Sequence, residues 1–364
     1  MGGRHSERRE RLRRAIAKAE AEALLITDFS NVTYLTGFTG DDAYLLLGPR
    51  GEIILSDPRY TTQLEEECPG VDLHIRRPGV NMVQAVTKVL RKARLGRLAI
   101  EGDSMTVGLK ERILANCPGL QMVTTSGLVE RLRRIKDKEE IAQIRQAIWY
   151  AEKAFAVTRA SLRAEQTEKQ VADALENEMR GFGAKGCAFP SIVAVGARAA
   201  LPHATPGTRT IGSADFVLFD WGADGGLYRS DLTRVLVTGR ISPKLERIYR
   251  VVLTAQLKAI AAIRPGAELK KVDRVARQWI AKAGFGRHFG HGLGHGIGLQ
   301  VHEAPRLAAD AQGVLKPGMV VTVEPGIYLP GWGGVRIEDD VLVTRTGHEV
   351  LTTAPKQWED VVIA

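Results

Sequence analysis

Four carboxylates and a cluster of histidines are the residues of this chain best suited to chemistry. Asp220 ends the apolar run Phe216-Val-Leu-Phe-Asp, and Asp231 ends Tyr228-Arg-Ser-Asp shortly after it. Between them, Gly225-Gly226 reads as a two-residue hairpin turn. That turn predicts Asp220 directly opposite Asp231, with Cβ atoms about 4.5–5.5 Å apart. Like charges at that spacing destabilise a hairpin unless a cation lies between them. Glu324 (Val-Thr-Val-Glu-Pro-Gly) and Glu338 (Val-Arg-Ile-Glu-Asp) repeat the pattern further on, again where a strand reads as apolar. Buried carboxylates hold metals or meet positive partners. Six of the eight histidines lie beyond residue 200, and four fall between His288 and His302, around the glycine-alternating stretch GHGLGHGIGL at 290–299. Such glycines let a backbone come close to something, at a cost in chain entropy that a plain loop does not require. Four carboxylates and one imidazole can hold two divalent ions by sharing bridging oxygens. An oxygen-rich shell of this kind suits manganese or cobalt, or zinc with carboxylates, better than a thiolate-type structural zinc.

The elements that must position these groups fall into two halves. Strands are predicted at 216–220 and 227–237, and again at 320–323 and 335–343. Two helices precede each pair. The first two span 139–162 and a segment opened by Thr167 and Gln170, at capping-box spacing, that stops near Gly181. The second two run from Ser242-Pro243, an N-cap followed by proline at the first helical position, to Ile263, and over 270–283. Two helix–helix–strand–strand halves imply an internal pseudo-repeat. Upstream, short apolar runs at 23–27, 43–47, 53–55, 71–75, 98–100 and 120–123 alternate with helical spacing at 8–21, 82–93 and 110–115. This is the pattern of an α/β domain, and it holds no catalytic cluster. The charged segment 128–136 reads as a helix leading into the long one, which sets the domains at 1–130 and 131–364.

The 364 residues carry 51 Lys+Arg against 42 Asp+Glu, a net charge of +9. Six arginines and two glutamates lie between Arg4 and Arg14. The run reads as a solvated helix face, because neither interleaved aromatics nor a nucleic-acid reader motif accompanies it. No window approaches a membrane span. Cys68, Cys117 and Cys187 are sparse and unpatterned, which fits a reducing cytoplasm and three buried small hydrophobes. Gly181-Phe-Gly-Ala-Lys-Gly186 matches G-x-G-x-x-G but follows a helix, so it fails the dinucleotide context. His302-Glu303 begins like a zincin motif, but position 306 is arginine.

At these residues the chain resembles the pita-bread metallopeptidases, in the aminopeptidase P and prolidase branch. Asn31-Val-Thr-Tyr-Leu-Thr-Gly-Phe38 is similar to the signature of the creatinase/prolidase N-terminal domain. Ile135-Lys136, Glu140-Ile141 and Arg145-Gln-Ala147 resemble the linker that opens the catalytic domain. Asp220, Asp231, His295, Glu324 and Glu338 match the family's five metal ligands in order and context. The resemblance implies an α/β N-terminal domain followed by an α+β pita-bread catalytic domain with an internal pseudo-two-fold repeat. It also implies a dinuclear centre, with manganese as the favoured ion. Asp220, bidentate, and Asp231 would hold one side, His295 and Glu324 the other, with Asp231 and Glu338 bridging. His203 (Leu-Pro-His), His291 and His302 match histidines that orient substrate and stabilise the tetrahedral intermediate. Arg336 resembles an arginine that orients the carboxylates. The implied reaction is hydrolysis of an Xaa-Pro bond by a metal-bridging hydroxide, with Glu324 as proton shuttle. An Xaa-Pro bond lacks the amide N–H, so a pocket must read the pyrrolidine ring instead. Arg306 matches an arginine that in prolidase-like members grips the carboxylate of a dipeptide, which favours a dipeptidase over an aminopeptidase acting on longer peptides. The intact ligand set argues against creatinase, which lacks a metal centre, and against a catalytically inactive binding protein on this fold. The N-terminal domain and Leu-Pro-His argue against methionine aminopeptidase. A cytoplasmic homodimer, free of nucleic acid and membrane, completes the expectation.

Overall fold

The computed structural model describes residues 2–49 and 51–363, and the chain divides into two compact units, Met1–Arg133 and Arg134–Ala364. The first unit is built on a mixed sheet of β1 (Ala23–Ile26), β2 (Ala43–Gly48), β3 (Gly51–Ser56), β4 (Asp72–Ile75), β5 (Arg97–Glu101) and β6 (Gln121–Thr125), in the order β4-β3-β2-β1-β5-β6. All four residues of the central β1 are buried, as an apolar run covered on both faces requires. The parallel neighbours β3–β4, β1–β5 and β5–β6 depend on helical crossovers, which α3 (Thr61–Glu67), α4 (Met82–Ala93) and α5 (Val107–Ala115) provide.

The arginine-rich start is not a solvated face. Helix α1 (Gly2–Lys18) does leave Arg11 and Arg14 in water, but Arg8 and Arg9 are buried. Arg8 Nη1 donates to Tyr34 O (3.0 Å), Arg9 Nη1 to Leu35 O (2.8 Å) and Arg13 Nε to Gly48 O (2.9 Å), while Arg9 and Arg13 both pair with Glu52. The carbonyls at the end of α2 (Phe29–Thr36) are orphan acceptors, and these guanidinium groups satisfy them. The segment 31–38 has a matching structural role. Asp28 caps α2, and the fully buried Asn31 amide donates to Glu101 (2.7 Å) and Glu130 (2.6 Å).

The predicted helix over 128–136 is also shorter than expected. Only α6 (Glu130–Arg133) forms, because Asp137 adopts an extended backbone and makes a capping box with Glu140 that starts a new helix, α7 (Lys138–Ala160). The second unit continues with α8 (Glu168–Gly181), α9 (Pro243–Ala261), α10 (Leu269–Lys282) and the short α11 (Trp358–Val361). Thr167 and Ser242 cap α8 and α9 as their spacing indicates. Strands β8 (Ile192–Val195), β9 (Phe216–Trp221) and β11 (Leu232–Val237) form one sheet, in the order β11-β9-β8. Strands β12 (Gly294–Gly296), β13 (Glu303–Leu307), β14 (Val320–Val323), β17 (Asp339–Val343) and β18 (His348–Val350) form another, in the order β13-β12-β14-β17-β18. Two short ribbons, β7 (Gly186–Cys187) with β10 (Ala223–Asp224) and β15 (Gly326–Leu329) with β16 (Gly333–Arg336), complete the unit.

The sequence of α7, α8, β9, β11 is followed by α9, α10, β14, β17, which is the repeated helix–helix–strand–strand order. Helix α7 packs on β9 through Phe155 stacked on Trp221, centroids 4.2 Å apart, and Trp221 Nε1 donates to Ala151 O at 2.9 Å. Among the described residues no helix is long and apolar enough to cross a membrane. All three cysteines are free thiols. Cys68 and Cys117 are buried as expected, but Cys187, in the two-residue ribbon of β7 with β10, is only half-buried.

Candidate metal centre

Asp220 and Asp231 come from one hairpin, but in a register different from the expected one. Asp220 pairs with Thr233, and Gly225 N–H donates to Tyr228 O (2.9 Å), so the turn centres on Gly226-Leu227 rather than Gly225-Gly226. Tyr228 decides this. Its ring is buried, and its hydroxyl donates to Glu140 of α7 at 2.6 Å. A shift of two residues preserves the alternation of faces, so Asp231 remains on the Asp220 side of the sheet as a diagonal neighbour.

In the second half the register of β14 and β17 pairs Val323 with Asp339, and Glu324 and Glu338 adjoin that last pair, one at the end of β14 and one at the start of β17. Strand β12 brings His295 to these acids. A Cβ on Gly294 would lie 2.1 Å from Thr322 O, and one on Gly296 would lie 2.4 Å from Ala304 O. The glycines flanking His295 therefore let β12 insert between β13 and β14. His295 Nε2 lies 3.4 Å from Glu324 Oε1 and 3.7 Å from Asp231 Oδ2. Among the described residues, Asp231, His295 and Glu338 offer ligand atoms within 4.8 Å of one another.

This cluster carries charge that the protein alone does not satisfy. Burial is the first cause of the raised carboxyl values of Asp231 and Glu338, and the charges of the neighbouring carboxylates add to it. Burial also pushes Glu324 up to about 8, against the opposing pull of Arg336. Asp220 is raised by burial too, although Arg336 Nη2 donates to its Oδ2 at 2.5 Å. Asp220 Oδ1 and Glu338 Oε1 are buried and have no hydrogen-bond partner. Unpartnered carboxylate oxygens beside an imidazole that burial holds near 4, hence neutral, are the donor set a divalent cation requires.

The raised carboxyls are therefore expected to cost the metal-free protein stability as the pH rises above about 6.5, where the buried imidazoles are neutral whether the chain is folded or not. Glu324 keeps its proton up to about pH 8 when folded but only to 4.5 when unfolded. Between those values the folded state binds more protons, so this contribution to stability declines through the window. An added divalent ion displaces the proton and removes the decline. Melting temperatures of chelated and manganese-loaded protein from about pH 6.5 to 8 measure this. A chelated sample that gains stability across that range would contradict it.

The remaining sequence candidates lie around the cluster. Arg336 Nε donates to Thr233 Oγ1 (3.1 Å), which in turn donates to Glu338 Oε2 (2.6 Å). Its Nη1 donates to Tyr328 OH (2.8 Å), and that hydroxyl lies 2.9 Å from His291 Nε2. His291 Nδ1 contacts Gly292 O at 2.8 Å, so both ring nitrogens are engaged, and burial lowers the ring to about 4. His302, itself exposed, meets His295 edge-on with ring centroids 4.3 Å apart, and His203 is exposed nearby, close enough to influence the titration of both His302 and Asp220. Arg306 is the direct cross-strand partner of His295, largely exposed and 3.7 Å from Asp310.

Asp340 was not among the candidates. It is fully buried, its Oδ2 accepts the Asp231 N–H at 3.2 Å, and its Oδ1 is unpartnered. The signal for it was three consecutive acids, Glu338-Asp-Asp, inside an apolar strand. Thr233 and Tyr328 gave no signal, since a hydroxyl bridging two charged groups is invisible in spacing.

The sequence profile of metallopeptidase family M24 matches residues 142–345, and that of the creatinase/prolidase N-terminal domain matches residues 8–135. An uncharacterised peptidase of Bacillus subtilis, YqhT, is 38% identical over 96% of this chain and 98% of its own length. The Xaa-Pro dipeptidase from Bacillus anthracis is 38% identical with a TM-score of 0.94, covering 99% of this chain and 100% of that one. The X-Pro aminopeptidase from Thermotoga maritima is 36% identical with a TM-score of 0.86, covering 94% of this chain and 99% of that one.

Proposed function

The chain belongs to metallopeptidase family M24, and from that premise we propose that it hydrolyses Xaa-Pro dipeptides at a centre of two divalent ions, manganese in the first instance. It is a metallopeptidase with a creatinase/prolidase-type N-terminal domain ahead of a pita-bread catalytic domain. The observation that carries the reading is the meeting of Asp231, His295 and Glu338, with Glu324 against His295, Asp220 beside Asp231, and buried oxygens of Asp220 and Glu338 left unpartnered. These five residues would hold the ions, with Asp231 and Glu338 shared between them. When bound, the ions polarise the scissile carbonyl and lower the pKa of a water to near neutrality.

The chain's own groups do the rest. Glu324, the most exposed carboxyl of the set, holds the proton taken from the attacking water and passes it to the leaving proline nitrogen. His302 is kept below its ordinary value, chiefly by burial, so it is neutral near pH 7 and can donate its ring N–H to the carbonyl oxygen. We assign the same carbonyl oxygen to His203, which lies exposed on the loop between β8 and β9. His291 acts at one remove. It holds Tyr328, which holds Arg336, which aims Asp220.

Arg306, the cross-strand partner of His295, would bind the free carboxylate of a dipeptide. A charge-assisted hydrogen bond is worth about 1.5–3 kcal/mol. Arg306→Ala is therefore expected to raise KM for an Xaa-Pro dipeptide roughly 10- to 100-fold, with little effect on an Xaa-Pro-containing tripeptide. Turnover of the two substrates by manganese-loaded parent and variant is the test of the reading. A preference of the parent for the tripeptide would transfer it to an Xaa-Pro aminopeptidase, which the resemblance to the Thermotoga maritima enzyme also supports. Absence of turnover on both would remove it. A cytoplasmic setting suits the three unbridged cysteines, and a homodimer is the assembly expected in solution.

A further inference from the structure

One carboxylate outside the metal centre holds both ends of the loop that carries His203. Glu168, the first residue of α8, is fully buried. It accepts the amide N–H of Val195 before the loop (2.8 Å), the N–H of Gly207 after it (2.9 Å), and Arg198 Nε from within it (2.8 Å). Arg198 extends the restraint, since its Nη2 donates to the carbonyl of Thr205, two residues beyond His203.

The two halves of the loop are supported differently. The turn Gly196–Ala200 lies flat on β16, where a Cβ on Gly334 would fall 2.1 Å from Ala199 O, and Arg336 Nη2 reaches Pro202 O at 3.5 Å. The half after His203 is tied instead to the start of α8, with Thr205 held through Arg198 and Gly207 through Glu168 and the Lys169 N–H (3.0 Å). His203 stands at the junction, so its ring position depends on the second set of ties as well as the first.

We propose that Glu168 and Arg198 are positioning residues for His203: the pair fixes the loop so that the imidazole stays over the centre, and it affects turnover only through that ring. This rests on the role given to His203 above. Displacing a catalytic group by about 1 Å can lower a rate roughly 100-fold, so a loosened loop has a measurable effect without any change at the ligands.

Arg198→Lys separates positioning from folding. A lysine can still face Glu168 as a point charge, but it lacks the planar fork that reaches Glu168 and Thr205 together. In manganese-loaded protein, kcat/KM on an Xaa-Pro dipeptide is expected to fall about 10- to 100-fold, with metal content unchanged. In a His203→Ala background the same substitution should cause no further loss, as the non-additivity of groups acting in series requires. Parental activity in Arg198→Lys overturns the proposal, and so does a loss that persists at full size in the His203→Ala background. If His203→Ala is itself near parental, the role of His203 fails and the proposal fails with it. That outcome is distinct from failure of the metal-centre reading, because Asp231→Asn would still abolish turnover.

Discussion

Asp231→Asn is expected to abolish turnover, by well over about 100-fold, the most that loss of a supporting residue alone usually produces. The metal-free chain should fold at least as well as the parent. Asp231 lies 3.7 Å from His295 Nε2 and shares a 4.8 Å ligand cluster with Glu338, so it is the residue on which the proposed bridge depends. Without metal, however, its charge is a liability. Burial opposes it first, and Glu338, Asp220 and Glu324 then repel it. Replacement by the nearly isosteric amide removes that repulsion and leaves the backbone N–H on Asp340. Three measurements on one sample test this: turnover, ions per chain after dialysis, and melting temperature with chelator. Retained turnover with full metal content would contradict the assigned centre. Lost turnover together with a collapsed melting temperature would contradict the account of its electrostatics.

The largest effect on stability is expected at Arg234, which is fully buried and binds no substrate or metal in this reading. Its Nη1 donates to Thr233 O (2.9 Å) and Glu338 O (2.5 Å), its Nη2 to Asp339 Oδ1 and Ala354 O (2.8 Å each), and its Nε to Ala354 O and Pro355 O (3.2 Å each). One guanidinium thus joins β11, the start of β17 and the C-terminal segment behind the centre. Burial alone would raise Asp339, but the charges of Arg234 and Lys356 and the hydrogen bonds it accepts outweigh this and hold it below its ordinary value. Removing one member of a buried pair costs about 3–5 kcal/mol because the other charge is left uncompensated. Arg234→Met should therefore lower the melting temperature by roughly 6–20 °C for a unit of this size. Lys356 still reaches Asp339 Oδ2, which favours the lower end. If the unpaired charge is the cause, adding Asp339→Leu should return part of the loss, and a double variant as unstable as the sum of the singles would show that the cause lies elsewhere.

Much of the centre was legible in the chain itself. Asp220, Glu324 and Glu338 stand at apolar strand ends, where a buried carboxylate needs a positive partner, and the glycines around His295 mark a backbone squeezed between neighbours. The caps at Thr167 and Ser242 were equally readable, because capping chemistry is local. The errors arose where distant contacts decide. Gly225-Gly226 is a sound turn signal, but anchoring Tyr228 to Glu140 of α7 moves the turn by one residue and the pairing by two. The arginine run looked solvated because nothing local shows that Arg8 and Arg9 have the carbonyl ends of α2 to satisfy.

The sequence by itself determined the kinds of atoms available to the centre, and the two-fold order of elements that delivers them, because residue type and periodicity are properties of a few consecutive residues. Only the tertiary structure decided which oxygens are paired and which are left for a cation. That depends on Arg336 reaching Asp220, Thr233 reaching Glu338 and Asp340 holding the Asp231 amide, across about a hundred residues in each case. Whether a buried charge is satisfied depends on every group packed around it, and those groups meet only when the chain has folded.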